Sequence, residues 1–316
     1  MGDVGDHALT TGLLVRRAVV VAACACVLVS CSNDDPSRHD TSPTYTSPAG
    51  PSPTVASTST PSATAQAEAV AADPTALARQ LDDAVRTIRD RHAAEDQVRQ
   101  AAELQQLAVR AIALGSPAFR RATFRALGPV AAEQTRGDVH AARLLTVITA
   151  PKPKFPPWRI VTPPPVPVLL GFYREAQRRT GVPWTYLAAI HLVETRMGRI
   201  HGPSTAGALG PMQFLPSTWA RFGAGGDIDD PHDAIQAAAR LLAAYGAPRD
   251  MAGALRHYNR SDEYVGAVTT YARTMQRSRL AYRGYWYWRV LYHHVRGTFV
   301  LPDGYPAVRP VPVPDG

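Results

Sequence analysis

The sequence predicts a mainly α fold, and three observations carry that prediction. Apolar residues recur at helical spacing in successive blocks between Leu77 and Met275, as at Leu77, Leu81, Val85 and Ile88. Proline and glycine stand at the ends of those blocks, where a first turn or a C-terminal stop accepts them, as in Asp73-Pro74, Gly128-Pro129 and Asp230-Pro231. Strand-like alternation enters only after residue 285, over one short stretch.

Residues 1–30 read as an export signal. Arg16-Arg17 supplies a short positive region, and Ala18 to Ser30 is an apolar run ending in small residues. The run is shorter than the ~20 apolar residues of a membrane-spanning helix. Leu28-Val29-Ser30-Cys31 resembles the lipobox of bacterial lipoproteins, which implies lipidation of Cys31 as the new N-terminus. The other two cysteines, Cys24 and Cys26, lie inside the removed segment. A mature chain with Cys31 alone has no disulfide framework, no cysteine-based metal site and no free thiol nucleophile. Residues 31–72 are rich in Ser, Thr, Pro and Ala and read as a disordered tether. Some forty residues of this kind span roughly 35 Å in root-mean-square terms.

From 73 to 149 the pattern is helical, broken at Gly115-Ser116-Pro117 and at Gly128-Pro129, which predicts one long helix and two shorter ones in an accessory domain. Residues 150–168 carry eight prolines, a stiff and extended connector, with Trp158 and Ile160 placed to lie along a folded surface. The domain boundary is expected here. After it, Leu169 to Arg179 reads as a helix of mixed face.

Val182 to Gly198 reads as a helix on which Leu187, Ile190, Val193 and Met197 share one side. Glu194 falls on that same side, while Arg196 and Arg199 are expected to point away. Two readings of Glu194 compete. One is a helix-end carboxylate held by an ion pair, for which only His191 is a local partner. The other is a carboxyl group in an apolar cleft, kept protonated near neutral pH by desolvation, as glycoside cleavage requires of its general acid.

Next comes the small-residue loop Ser204-Thr205-Ala206-Gly207-Ala208-Leu209-Gly210-Pro211-Met212-Gln213-Phe214, leading into a helix from Ser217. Its glycines allow close backbone approach, and the Gln213 amide both donates and accepts. His257-Tyr258-Asn259 follows further on. Together these motifs resemble the soluble lytic transglycosylase (SLT) group of the lysozyme superfamily, over residues 169–278. The group's pattern is a catalytic Glu followed by Ser, a G-A-x-G-[LP]-M-Q-[FI] loop and an A-Y-N segment. Thr195 stands here for the Ser, and His257 for the Ala. The resemblance implies a lysozyme-like catalytic domain with Glu194 as acid and base, and Gln213, Met212, Tyr258, Asn259, Thr195 and Ser204 at the substrate. It further implies that the Tyr258 hydroxyl faces the acid.

The turn-rich stretch Gly223 to Asp230 is acidic, but its spacing does not fit an EF-hand loop, and Asp230-Pro231-His232-Asp233 fits a helix cap. Helices are expected over Pro231 to Tyr245, Ala252 to Asn259 and Val265 to Met275. In 279–316, Trp286, Trp288, Val290 and Tyr292 alternate ahead of Thr298-Phe299-Val300-Leu301, which predicts a small hairpin turning at Arg296-Gly297, then a polar Pro-rich tail.

The net charge is +8 and the pI near 9.7. Behind an export signal that balance suits anionic wall polymers or lipid headgroups rather than nucleic acid. Phosphate-cradling glycine loops and zinc-ligand spacings are absent from the sequence, so no cofactor and no metal are expected. The expectation is a lipid-anchored monomer on the outer face of the cytoplasmic membrane. It would cleave peptidoglycan strands between N-acetylmuramic acid and N-acetylglucosamine. A muramidase cutting the same bond with water, and a non-catalytic wall-binding lipoprotein, are the alternatives.

Overall fold

The structure is a computed structural model that describes residues 69–314. The export signal, Cys31 and most of the tether lie outside the described residues. Within them the chain is mainly helical, with a small sheet at the C-terminus.

Four helices come first: α1 (Pro74–Arg89), α2 (Glu95–Leu114), α3 (Pro117–Ala126) and α4 (Pro129–Ile148). The sequence reading expected three, because no proline or glycine marks the break between α1 and α2. Side chains make that break instead. Asp90 accepts from the His92 N–H, and Gln97 turns back to accept from the Ala94 N–H at 3.1 Å, starting α2. Val70 and Ala71, assigned to the tether, pack against the small core of these helices, so folded structure begins ahead of Asp73.

The connector holds β1 (Arg159–Ile160), and α5 (Val166–Thr180) follows. Then come α6 (Trp184–Thr195), β2 (Ile200–His201), α7 (Pro216–Phe222), α8 (Pro231–Ala244), α9 (Met251–Tyr258) and α10 (Asp262–Arg277). The chain ends with α11 (Ala281–Tyr287), β3 (Val290–His294), β4 (Gly297–Leu301) and β5 (Val311–Pro312). β1 pairs antiparallel with β2, and β3, β4 and β5 form a three-stranded antiparallel sheet.

Two expectations about the C-terminal part are corrected. Trp286 lies on α11 rather than in the hairpin, because Tyr282 and Tyr285 sit three apart on the buried face of that helix. The supposed polar tail is partly built in: Tyr305 is buried, and Asp303 pairs with Arg199 at 3.1 Å.

The main core crosses the connector. Ile88, Val98, Ala102 and Ala141 join Leu187, Ile190, Val268 and Tyr285 in one cluster. α4 lies directly on α10, and Gly137 permits the approach: a Cβ there would stand 3.2 Å from Thr274 Oγ1 and 3.4 Å from Thr270 Cγ2. α10 in turn packs on α6.

At this junction Asp138 of α4 is wholly buried and accepts a hydrogen bond from the Tyr285 hydroxyl. Among the described residues its other oxygen has no hydrogen-bond partner, and the side chains of Gln105, Gln134 and Thr135 also bury unsatisfied polar atoms. Burial outweighs the hydroxyl and pushes the Asp138 carboxyl up from 3.8 to about 7. Between those values the folded chain holds a proton that the unfolded chain has released, so stability falls as pH rises from about 4 to about 7. At ~1.36 kcal/mol per unit the span is roughly 4 kcal/mol. Asp138→Asn removes this group's slope, and thermal melts at pH 5 and pH 8 should differ less for the variant than for wild type. An unchanged difference would mean that Asp138 is ionised in the fold.

Candidate active site

α6 is buried on nearly every side, with Thr185 through Leu192 and Thr195 all buried. Glu194, in the last turn, is half-buried. The helix stops at Thr195, short of the expected Gly198, because Arg196 and Met197 both take left-handed backbone angles, φ 54° and 63°. The Arg196 guanidinium closes the end by donating to Leu192 O at 2.6 Å.

Arg199, expected to point away, is buried: it pairs with Asp303, donates to Trp286 O at 3.1 Å and lies over the Trp286 ring. His191 does not supply the ion pair that its spacing allowed. It is buried with Nδ1 2.7 Å from the Tyr173 hydroxyl, and burial pushes its pKa down to about 3, so it is neutral at neutral pH.

Glu194 Oε1 instead accepts from the Tyr264 hydroxyl at 2.6 Å. Tyr264 was passed over in the sequence, where it stands just ahead of the helix expected from Val265; that helix in fact begins at Asp262. The available signal was a tyrosine on a buried stripe whose hydroxyl must find a partner. The turn before α10 aims it. Asn259 Oδ1 accepts from the Ser261 N–H at 3.0 Å, and Ser261 Oγ caps the helix by accepting from the Tyr264 N–H at 3.1 Å.

The loop after β2 is held by its own carbonyls. Thr195 Oγ1 donates to Pro211 O at 2.6 Å, the Tyr258 hydroxyl donates to Met212 O at 2.6 Å, and Gln213 Nε2 donates to Gly210 O at 2.9 Å. Three successive peptide oxygens are thereby tied to α6, to α9 and to the loop itself. Gly210 has no room for a side chain, since a Cβ would lie 1.9 Å from Ile228 O. The Tyr258 ring stacks parallel to that of Tyr264, 6.5 Å apart. Met212 and Thr195 are fully buried, so neither side chain is placed at an open surface; they act on the loop from behind. Ser204 Oγ forms a turn, accepting from the N–H groups of Ala206 and Ala208. Glu194, Ser204, Gln213, Tyr258 and Asn259 are the half-buried members of the predicted set.

Three of the other acids near the motifs have local tasks. Asp227 accepts from the Asp229 N–H, Asp230 caps α8, and Asp262 pairs with Arg256. Asp230, His232 and Asp233 come close enough to offer a cation three ligand atoms. Their bonds are spent on capping, on the Asp227 N–H and on Glu175.

Residues 172–279 match the family model of the transglycosylase SLT domain. No curated protein and no solved structure matches the chain. The family match supports a lysozyme-like catalytic unit with peptidoglycan lytic transglycosylase activity.

Thr195→Val tests the tie between α6 and the loop. It keeps the shape but strands Pro211 O and the Gly198 N–H, at a cost of ~1–3 kcal/mol for an unsatisfied buried group. Urea denaturation should show that loss, and Thr195→Ser should recover most of it. Equal midpoints for all three proteins would show that the hydroxyl is not what holds the loop.

Proposed function

We propose that this chain is an exported, lipid-anchored lytic transglycosylase in which Glu194 is the sole acid and base. The observation that carries this reading is the half-buried Glu194 at the end of a buried helix, its Oε1 taken by the Tyr264 hydroxyl. In this reading Oε2 carries the exchangeable proton, while Oε1 accepts from the Tyr264 hydroxyl. Glu194 gives that proton to the oxygen linking N-acetylmuramic acid to N-acetylglucosamine as the bond breaks. The substrate's N-acetyl oxygen steadies the positive charge at the anomeric carbon. The carboxylate then takes the proton of the sugar's own 6-hydroxyl, whose oxygen closes on that carbon. No water is consumed, and proximity favours the internal hydroxyl, since effective molarities reach ~10⁵–10⁸ M.

Gln213, Tyr258 and Asn259 position the N-acetyl sugar. Thr195, Met212 and Ser204 shape the loop that carries Gln213. Hydrolysis would need a second carboxylate to activate water, ~6.5–9.5 Å from the first for inversion. The local tasks of Asp227, Asp230 and Asp262 speak for the one-acid route.

Mass spectrometry of released muropeptides should find 1,6-anhydro ends, one water lighter than hydrolysis products. Free reducing ends would make the protein a muramidase, and an unchanged peptidoglycan suspension a binding protein. Glu194→Gln should lose ~10²–10⁴ in rate while remaining folded. Tyr264→Phe should move the alkaline limb of the pH–rate profile to higher pH, because a donor to the carboxylate favours its charged form. An unmoved profile would assign Tyr264 to packing alone.

The anchor is proposed at Cys31. Stable attachment takes more than one acyl chain at ~0.8 kcal/mol per buried methylene, which a diacylglyceryl group provides. Cys31→Ala should leave the membrane fraction or accumulate as precursor, and unaltered fractionation would remove the lipobox from the account.

A further inference from the structure

At the far end of α6 from Glu194, the last turns of α5 meet the turn between α10 and α11. Arg174, Gln177, Arg178, Trp184 and Arg279 line a cleft there of about 400 Å³. Trp184 and Glu194 are ten residues apart on one helix, ~15 Å along its axis, so the cleft is separate from the candidate active site.

Its geometry is fixed from behind. Gln177 Oε1 accepts from the Trp184 N–H at 2.7 Å, and the indole packs edge-on against Tyr282, ring centres 5.7 Å apart. The positive end of the α6 dipole lies at this corner.

The charges are one-sided. Arg174, Arg178 and Arg279 are exposed, and among the described residues no acid lines the cleft. Among the described residues none of the three has a hydrogen bond or ion pair, whereas the neighbouring Arg179 is paired with Glu175 at 2.8 Å. Like charges gathered around one opening repel, and an anion between them reverses the sign of that interaction. Guanidinium groups fit phosphate oxygens bidentately, and a phosphate has oxygens enough for more than one of them. The half-buried indole adds what a bare anion does not need, a flat apolar face against which a sugar ring packs.

We propose that this cleft is a second ligand site that takes a phosphorylated sugar unit of an anionic wall polymer. The guanidinium groups hold the phosphate and Trp184 packs against the sugar. That the polymer belongs to the wall rests on the exported reading given above. The site itself does not depend on cleavage chemistry.

Calorimetric titration of the full-length mature protein with glucose 1-phosphate, inorganic phosphate and glucose tests the site. Glucose 1-phosphate should bind at least tenfold more tightly than either of the others. Arg174→Gln/Arg279→Gln should weaken that binding by tenfold or more, with an unchanged melting temperature and an unchanged cleavage rate on phosphate-free peptidoglycan. Trp184→Phe, which keeps an aromatic ring against Tyr282, should reduce the preference for glucose 1-phosphate over inorganic phosphate. Equal affinity for the two phosphates, or no effect of the arginine substitutions, overturns the proposal. Binding to phosphatidylinositol vesicles without binding to soluble glucose 1-phosphate overturns it in favour of a membrane surface. Because each readout is binding, loss of cleavage by the wild-type protein would count against the proposed function and not against this site.

Discussion

A helix that is apolar nearly all round and carries an acid in its last turn has to lie inside other elements. α6 is that helix, with no watered face between Thr185 and Leu192. Burial of side chains such as Leu187, Ile190 and Leu192 contributes ~1.5–3 kcal/mol each, enough to offset one half-buried carboxyl group. The neighbours follow from this need for cover. α5, α8, α10 and α11 pack around α6, and α4 lies over α10 in turn. The N-terminal helices are therefore continuous with the core that holds the acid. Glu194 becomes accessible where the cover ends, between the buried Leu192 and the buried Thr195.

The chain leaving α6 is fastened by segments distant in sequence. Val161 N donates to Arg199 O, while Ile160 N donates to Tyr305 O and Ile160 O accepts from Gly304 N. Arg199 brings a buried positive charge into the same place, which is tolerable only with a partner. Asp303 supplies the charge and Trp286 a carbonyl and a ring face. The connector, the loop after Glu194 and the C-terminal segment thus meet behind the candidate site. The sheet and tail are part of its foundation rather than an appendage.

Much of this was legible in the sequence because it rests on local rules. Helix positions, the caps at Asp73 and Asp230, the break at Gly115-Ser116-Pro117, the hairpin turn and the placement of Glu194 follow from periodicity and from Pro, Gly and Asp chemistry. What was missed depends on partners far away in the chain. Arg199 looks like a surface residue until Asp303 is placed beside it, 104 residues on. Tyr264 is indistinguishable from core until α10 crosses α6. The Asp90–Ala94 break escaped notice because side-chain capping, not proline or glycine, makes it. The resemblance puts Thr195 and Met212 at the substrate, and both side chains are buried behind the loop. Spacing brings a residue to a site but does not say whether its side chain points into the cleft or into the wall behind it.

That wall is where rigidity originates. Arg196, Met197 and Gln213 hold left-handed backbone without being glycine, a conformation costing ~1–3 kcal/mol apiece. Such strain persists only where surrounding bonds over-determine it. Here they do: Met197 N donates to His191 O, and both the backbone and the side-chain amide of Gln213 donate to Gly210 O. The Thr195 and Tyr258 hydroxyls fix the next two carbonyls from two different helices, and Tyr264 fixes Glu194 from a third. Each is a single O–H between elements that already pack through apolar contacts, so the bonds add orientation more than cohesion. In the proposed reaction Glu194 and Gln213 meet the same sugar, and such a pair gains most from this arrangement. Their relative position is set before any ligand arrives, and little reorganisation is left to oppose the proton transfers.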